Sequence, residues 1–160
     1  MTPTSEKHEI VITRTFNAPR KLVWKVWTES EHLEKWWGPR GFSTRVEKNE
    51  LRVGGRSRYM MIGPDGTEYP AEGMIKELVP LEKIVSTDEF GEDYIEQSTM
   101  DLPQGMIITI LFEDAGTKTK VTLNIAHPDA ETKRKHEEMG VVGGWNSSLD
   151  CLEDHLASLK

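Results

Sequence analysis

An α+β fold, in which a curved antiparallel sheet of about six to seven strands is covered by one long C-terminal helix, follows from three features of this 160-residue chain. Residues 42–126 alternate apolar and polar side chains and are cut by turn residues. Residues 129–159 return to helical spacing and keep it, with Val142, Trp145, Leu149, Leu152 and Leu156 on one face. A strand-like run and two short helix-like runs precede the alternating region.

The elements follow in order. Residues 8–16 (HEIVITRTF) alternate, with Ile10, Ile12 and Arg14 on one side, and read as a strand ended by Asn17-Ala18-Pro19. Pro19 suits the first turn of a helix, and Leu22, Val23, Val26 and Trp27 carry it over 19–28. Ser30 is a good N-cap for a second helix, with Leu33, Trp36 and Trp37 at offsets of 3 to 4. Gly38-Pro39 ends that helix. Strands are expected at 42–48, 56–63, 69–79, 82–90, 95–101, 105–114 and 117–126. Their joints are turn chemistry: Val53-Gly54-Gly55, Pro64-Asp65-Gly66, Val79-Pro80-Leu81, Asp101-Leu102-Pro103 and Asp114-Ala115-Gly116. Connections this short make an antiparallel meander. Asp129 or Pro128 starts the last helix. Without a linker, a repeat or a low-complexity tract, residues 1–160 read as a single domain with its core over about 9–158.

Composition narrows the function classes. The net charge of −7 argues against nucleic acid or an anionic membrane as partner, because both require a basic surface. A single cysteine, Cys151, excludes an intrachain disulfide and fits a reducing, cytoplasmic setting. The polar start, MTPTSEKHE, does not read as a secretory signal, and no apolar run has the length of a membrane helix.

The strings TFNAPRKLVWKVWTESEHLEKWWGPRGF, LRVGGRSRYMM, GPDGTEYPAEGMIKELVP and GWNSSLDCLEDHL together resemble the START-like, SRPBCC superfamily. Within it they are most similar to the branch named after the activator of heat shock protein 90 ATPase. The resemblance runs from about residue 9 to 158. It implies the helix-grip fold, a sheet wrapped around the long helix with a cavity between them. It implies no single activity, since members bind lipids, hormones, polyketides or small aromatics.

A cavity between sheet and helix directs attention to inward-facing side chains. Tyr59 and Met61 share a strand face, as do Met106, Ile108, Ile110 and Phe112, and Val121, Leu123, Ile125 and His127. With Met139 and Val142 from the last helix, these make an apolar lining with adaptable methionines. Tyr59, His127, Asn146 and Asp88 are its polar candidates. Trp36 is expected under the short helices and Trp37 at the cavity mouth, unless both rings simply plug the end of the sheet. Gly140, Gly143 and Gly144 cost a helix about 1 kcal/mol each. Either they leave room for a ligand, or the helix kinks or approaches a strand there. The candidate ligand-binding set is therefore Trp37, Tyr59, Met61, Asp88, Met106, Ile108, His127, Met139, Val142, Gly143 and Asn146.

Other chemistry is not signalled. His8, His32, His127, His136 and His155 show no metal-ligand spacing, and His136-Glu137-Glu138-Met139-Gly140 is not the zinc-protease motif. No catalytic residue, metal or cofactor is assigned. The chain reads as a non-enzyme that binds a small hydrophobic or aromatic molecule, in a cavity of about several hundred Å3. Two alternatives stand beside it. One is an enzyme of cyclase, aromatase or hydrolase type, which needs Asp88, Tyr59 or His127 facing the cavity. The other is a co-chaperone-like interaction module, for which an exposed apolar patch would speak, although a homodimer interface would explain such a patch as well.

Overall fold

The computed structural model describes residues 8–90 and 104–159. The expected strand at 95–101, the turn at 101–103 and the acids Glu92, Asp93 and Glu96 lie outside the described residues. The strands are β1 (Glu9–Phe16), β2 (Ser43–Asn49), β3 (Arg56–Ile62), β4 (Glu68–Val79), β5 (Lys83–Phe90), β6 (Met106–Ala115) and β7 (Lys118–Ala126). The helices are α1 (Arg20–Thr28), α2 (Ser30–Trp36), α3 (Ala130–Glu138) and α4 (Val141–Ser158). Among the described residues the strands form one antiparallel sheet in the order β1-β7-β6-β5-β4-β3-β2. The two short helices carry the chain from one edge strand to the other, and every other join within the sheet links neighbours.

Register aligns the inward-facing residues into rows. Ile12, Leu123, Ile110 and Ile84 form one row across β1, β7, β6 and β5. Ile10, Ile125, Ile108, Ser86 and Ile75 form the next and reach β4. All of these apolar members are buried, as alternation predicts for a sheet with one covered face. Leu149, Leu152 and Leu156 of α4 are buried as well, and the half-buried Trp145 and Cys151 of the same helix pack against this core.

Two expectations at helix ends are corrected. The continuous helix expected from Asp129 is two helices. Asp129 caps α3, its carboxylate accepting from the Thr132 backbone N–H at 2.7 Å. Gly140 then adopts φ +83, the left-handed conformation that glycine tolerates best, and the chain restarts as α4. The apolar spacing persists across this break, which is why periodicity alone hides it. Ser30 is the first residue of α2 rather than its cap. Glu29 holds the cap position, and the Ser30 hydroxyl accepts from the Asn49 side chain at 3.1 Å.

The Trp36-Trp37-Gly38-Pro39 corner is pinned to α4. The Gly38 N–H donates to Ser148 Oγ at 3.1 Å, and Ser148 donates to the Trp36 carbonyl at 3.2 Å. The Arg40 N–H donates to Ser147 Oγ at 2.8 Å. Gly38 has φ +99, and a Cβ there would sit 3.1 Å from Thr44 Oγ1, so this corner favours glycine twice over. Arg14 reaches over from β1 to Asp150 at 2.7 Å and to Asn146 Oδ1 at 3.2 Å, fixing α4 on the opposite side.

Candidate functional site

A cavity of about 90 Å3 lies where α1, the tryptophan corner and α4 close over β3, β4, β5 and β6. It is smaller than the several hundred Å3 expected. Small side chains on the inner face create it. Ser57 on β3 pairs with Gly73 on β4. Between the Glu72–Glu89 and Ile75–Ser86 pairs, Gly73 lies opposite Asp88, which in turn pairs with Met106. Ala71 and Ser86 add two more short side chains to the same wall. Where the other half of the sheet fills its rows with isoleucine and leucine, this half leaves space.

Aromatic rings close the cavity. Trp36 is 1% exposed and donates its indole N–H to the Val26 carbonyl at 2.9 Å. Trp37, next in sequence, points the other way and lines the cavity. It stacks on Tyr59 with centroids 5.1 Å apart and meets the edge of Trp145 at 5.2 Å. Adjacent residues at a helix end thus divide into one core ring and one wall ring. Trp27, tilted against Trp36 at 4.7 Å, also lines the cavity, and its buried indole N–H has no partner among the described residues. Leu51, 44% exposed, places one edge of the cavity near the surface.

Asp88 is the distinctive polar group. Burial pushes its carboxyl up to about 6, and the neighbouring Glu89 charge adds to the effect. No hydrogen bond from a described residue stabilises its charged form. Burial also raises the Tyr59 phenol, against a hydrogen bond with Ser57 that lowers it. Glu72, the other acid of the lining, is paired with Arg58.

Of the expected ligand-binding residues, the structure brings Trp37, Tyr59, Asp88 and Ile108 together in this lining. The others lie elsewhere. Met61 packs beside Gly38, and Met106 is buried next to Asp88 without reaching the cavity. Met139 and Val142 are each 42% exposed at the α3–α4 junction, because the break at Gly140 turns that segment outward. Gly143 is exposed, with open space where a Cβ would be, so it makes no internal room. Asn146 is engaged by Arg14. His127 sits beyond the end of β7 and is buried against His136.

That histidine pair was invisible to spacing. His127 Nδ1 donates to the His8 carbonyl at 2.8 Å, so its Nε2 is left to accept, and His136 Nδ1 donates to it at 3.0 Å. Burial pushes His136 down to about 4, with the neighbouring His127 contributing. A second pair, His32 Nδ1 and His155 Nε2 at 2.9 Å, joins α2 to α4. Burial, His32 and Lys35 lower His155. Among the described residues one cluster has atoms close enough to share a cation, the largely exposed Glu29, Glu31 and His32.

Residues 17–157 match the family model described as Activator of Hsp90 ATPase homolog 1-like protein. The chain belongs to that family. The helix-grip, START-like architecture expected from the sequence is the one observed. No curated protein matches the chain. Among solved structures, it is similar to a protein from Arthrobacter aurescens, with 26% identity, a TM-score of 0.86, and 94% of this chain and 86% of that one covered. A Staphylococcus epidermidis protein has 29% identity and a TM-score of 0.79, with 100% of this chain and 96% of that one covered. The protein Ms6760 from Mycobacterium smegmatis has 26% identity and a TM-score of 0.83, over 95% of this chain and 92% of its own. Among the described residues, no helix of this family member is long and apolar enough to cross a membrane.

Proposed function

We propose that this protein binds a compact, largely apolar or aromatic molecule in the cavity between its sheet and its C-terminal helix. One observation carries the reading. The cavity is walled by Trp27, Trp37, Tyr59 and Trp145, and its inner strands replace large side chains with Ser57, Ala71, Gly73 and Ser86. Small-molecule sites have this character, an apolar enclosure with few polar groups. A void left in a core forfeits packing, so an occupant that restores the contacts is favoured. The volume suits a ligand of one ring or a short branched chain rather than a lipid. A reducing cytoplasm, suggested by the single Cys151, is the setting we assign.

Asp88 favours a second reading, an enzyme on the same scaffold. A carboxyl held near neutrality is suited to general acid–base work on a bound molecule. His127 has no place in it, being engaged with His8 and His136 away from the cavity.

Tryptophan fluorescence tests the binding reading, because Trp37 and Trp145 flank the cavity. Titration with single-ring aromatics is expected to give a saturable change that disappears in Ala71→Leu, a variant that fills the space. A folded wild-type protein that responds to none of them would overturn it.

A further inference from the structure

Resting on the cavity reading above, we infer that the ligand is a compact organic cation, a primary amine or quaternary ammonium on a small aromatic or branched group, held by Asp88 and the surrounding aromatic rings. Three features of the lining point there. First, its only ionisable carboxyl groups are Asp88 and Glu72, and no lysine, arginine or histidine contributes to it among the described residues. A carboxylate ligand would meet like charge with no counter-ion. Second, the two acids are not equivalent. Glu72 is compensated by Arg58, which it shares with Glu47, whereas no described residue donates to Asp88. Asp88 is half-buried and desolvated with no described donor, so a cationic donor gains more here than at a fully solvated carboxylate. Third, Trp37, Tyr59, Trp27 and Trp145 present ring surface in the same cavity, and tryptophan is the ring that attracts cations best. The overall charge of −7 adds long-range attraction for a cation.

The Trp27 N–H, without a partner among the described residues, supplies the strongest rival, because a neutral alcohol could donate to Asp88 and accept from Trp27. Size separates the inference from a lipid amine, since a cavity of about 90 Å3 has no room for a long chain.

The test uses three probes of one shape, benzylamine, benzyl alcohol and benzoate, titrated against the full chain by tryptophan fluorescence. At pH 7 benzylamine is expected to bind about tenfold or more tightly than benzyl alcohol, the margin of a charge-assisted hydrogen bond, and benzoate weakest. Asp88→Asn should erase the preference for the amine while retaining the alcohol. The wild-type protein gives an independent readout. Amine binding requires the ionised carboxylate, so its affinity should rise roughly tenfold from pH 5 to pH 7, while the alcohol shows no such rise. Among the described residues, the charged and titratable groups around Asp88 are Glu89 on its own strand, Glu72 on β4 and Tyr59 on β3. On β6 and α4 its neighbours are Met106, Ile108 and Trp145. The pH dependence should therefore vanish in Asp88→Asn if Asp88 carries it. Equal affinity for amine and alcohol, preference for benzoate, or amine binding indifferent to Asp88→Asn would overturn the charge assignment while leaving the cavity reading intact. Failure of all three probes to bind a folded protein would overturn both.

Discussion

The two halves of the sheet use the same backbone for opposite ends. Across β1, β7 and β6 the inner face carries Ile10, Ile12, Leu123, Ile125, Ile110 and Phe112, all buried. Across β3, β4 and β5 the corresponding positions include Ser57, Ala71, Gly73, Ser86 and Asp88. The first half is the more fully packed, and only Ile108 and Ile110 of its β6 border the cavity. The second half is under-filled and, among the described residues, holds the one carboxyl that burial raises to about 6. Division of labour of this kind is expected when one domain must both fold and keep an internal space, because every methylene withheld from a core costs stability.

The largest expected effect comes from breaking the packed half. Phe112 is 2% exposed, with the edges of Trp24 and Trp27 against it at 5.1 and 5.6 Å. Phe112→Ala is expected to lower unfolding stability in urea by about 3–5 kcal/mol. Ala71→Leu in the hollow half should cost less than about 1 kcal/mol, since the added atoms enter existing space rather than a filled core. Equal losses at the two sites would erase the distinction.

Two ionisable groups, the half-buried Asp88 in the under-filled half and the buried His136 of α3 beside His127 beyond the end of β7, should respond to pH with opposite signs. The Asp88 carboxyl is raised from 3.8 to about 6, so the folded state holds its proton more tightly than the unfolded chain. Its contribution is complete below about pH 3.8 and is lost as pH rises through 6. His136 is lowered from 6.5 to about 4, so its contribution is complete above 6.5 and is lost as pH falls toward 4. Each is worth on the order of 3 kcal/mol across its window. The windows overlap, and the two nearly cancel in the native protein. Asp88→Asn should leave a protein whose stability climbs between pH 4 and 6.5. His136→Asn, which retains a donor toward His127, should leave one whose stability declines between pH 4 and 6. Urea midpoints across this range read both slopes, and a flat profile in either variant would remove that group from the account.

The packed half was the legible half. Its strands alternate cleanly, and parity alone places Ile12, Leu123 and Phe112 inside. The tryptophan corner was legible too, because Gly38-Pro39 must end the helix and two adjacent rings must diverge. The cavity was harder, since it is a property of register. Ala71 and Gly73 at alternate positions of one strand are the signal that was available. It acquires meaning only when Ser57 and Asp88 prove to lie beside Gly73 on neighbouring strands. The histidine pairs are of the same kind, for His32 and His155 meet across 123 residues. The helix glycines drew attention for a sound reason, the cost of glycine in a helix, but that cost is met at a break and on an exposed face.

The glycines also give the finest test of where the space comes from. A Cβ added to Gly143 meets nothing within 4 Å, whereas one added to Gly73 would lie 2.6 Å from the Thr87 carbonyl oxygen and 2.9 Å from Ser86 Oγ. Gly143→Ala should therefore stabilise the protein by a few tenths to about 1 kcal/mol, the propensity gain of alanine in a first helical turn, and leave probe binding unchanged. Gly73→Ala should destabilise it and weaken binding, because backbone must shift in the wall that faces Asp88. If instead Gly143→Ala weakened probe binding and Gly73→Ala left it untouched, the room for a ligand would belong to the helix, and the under-filled half of the sheet would be only an imperfectly packed core.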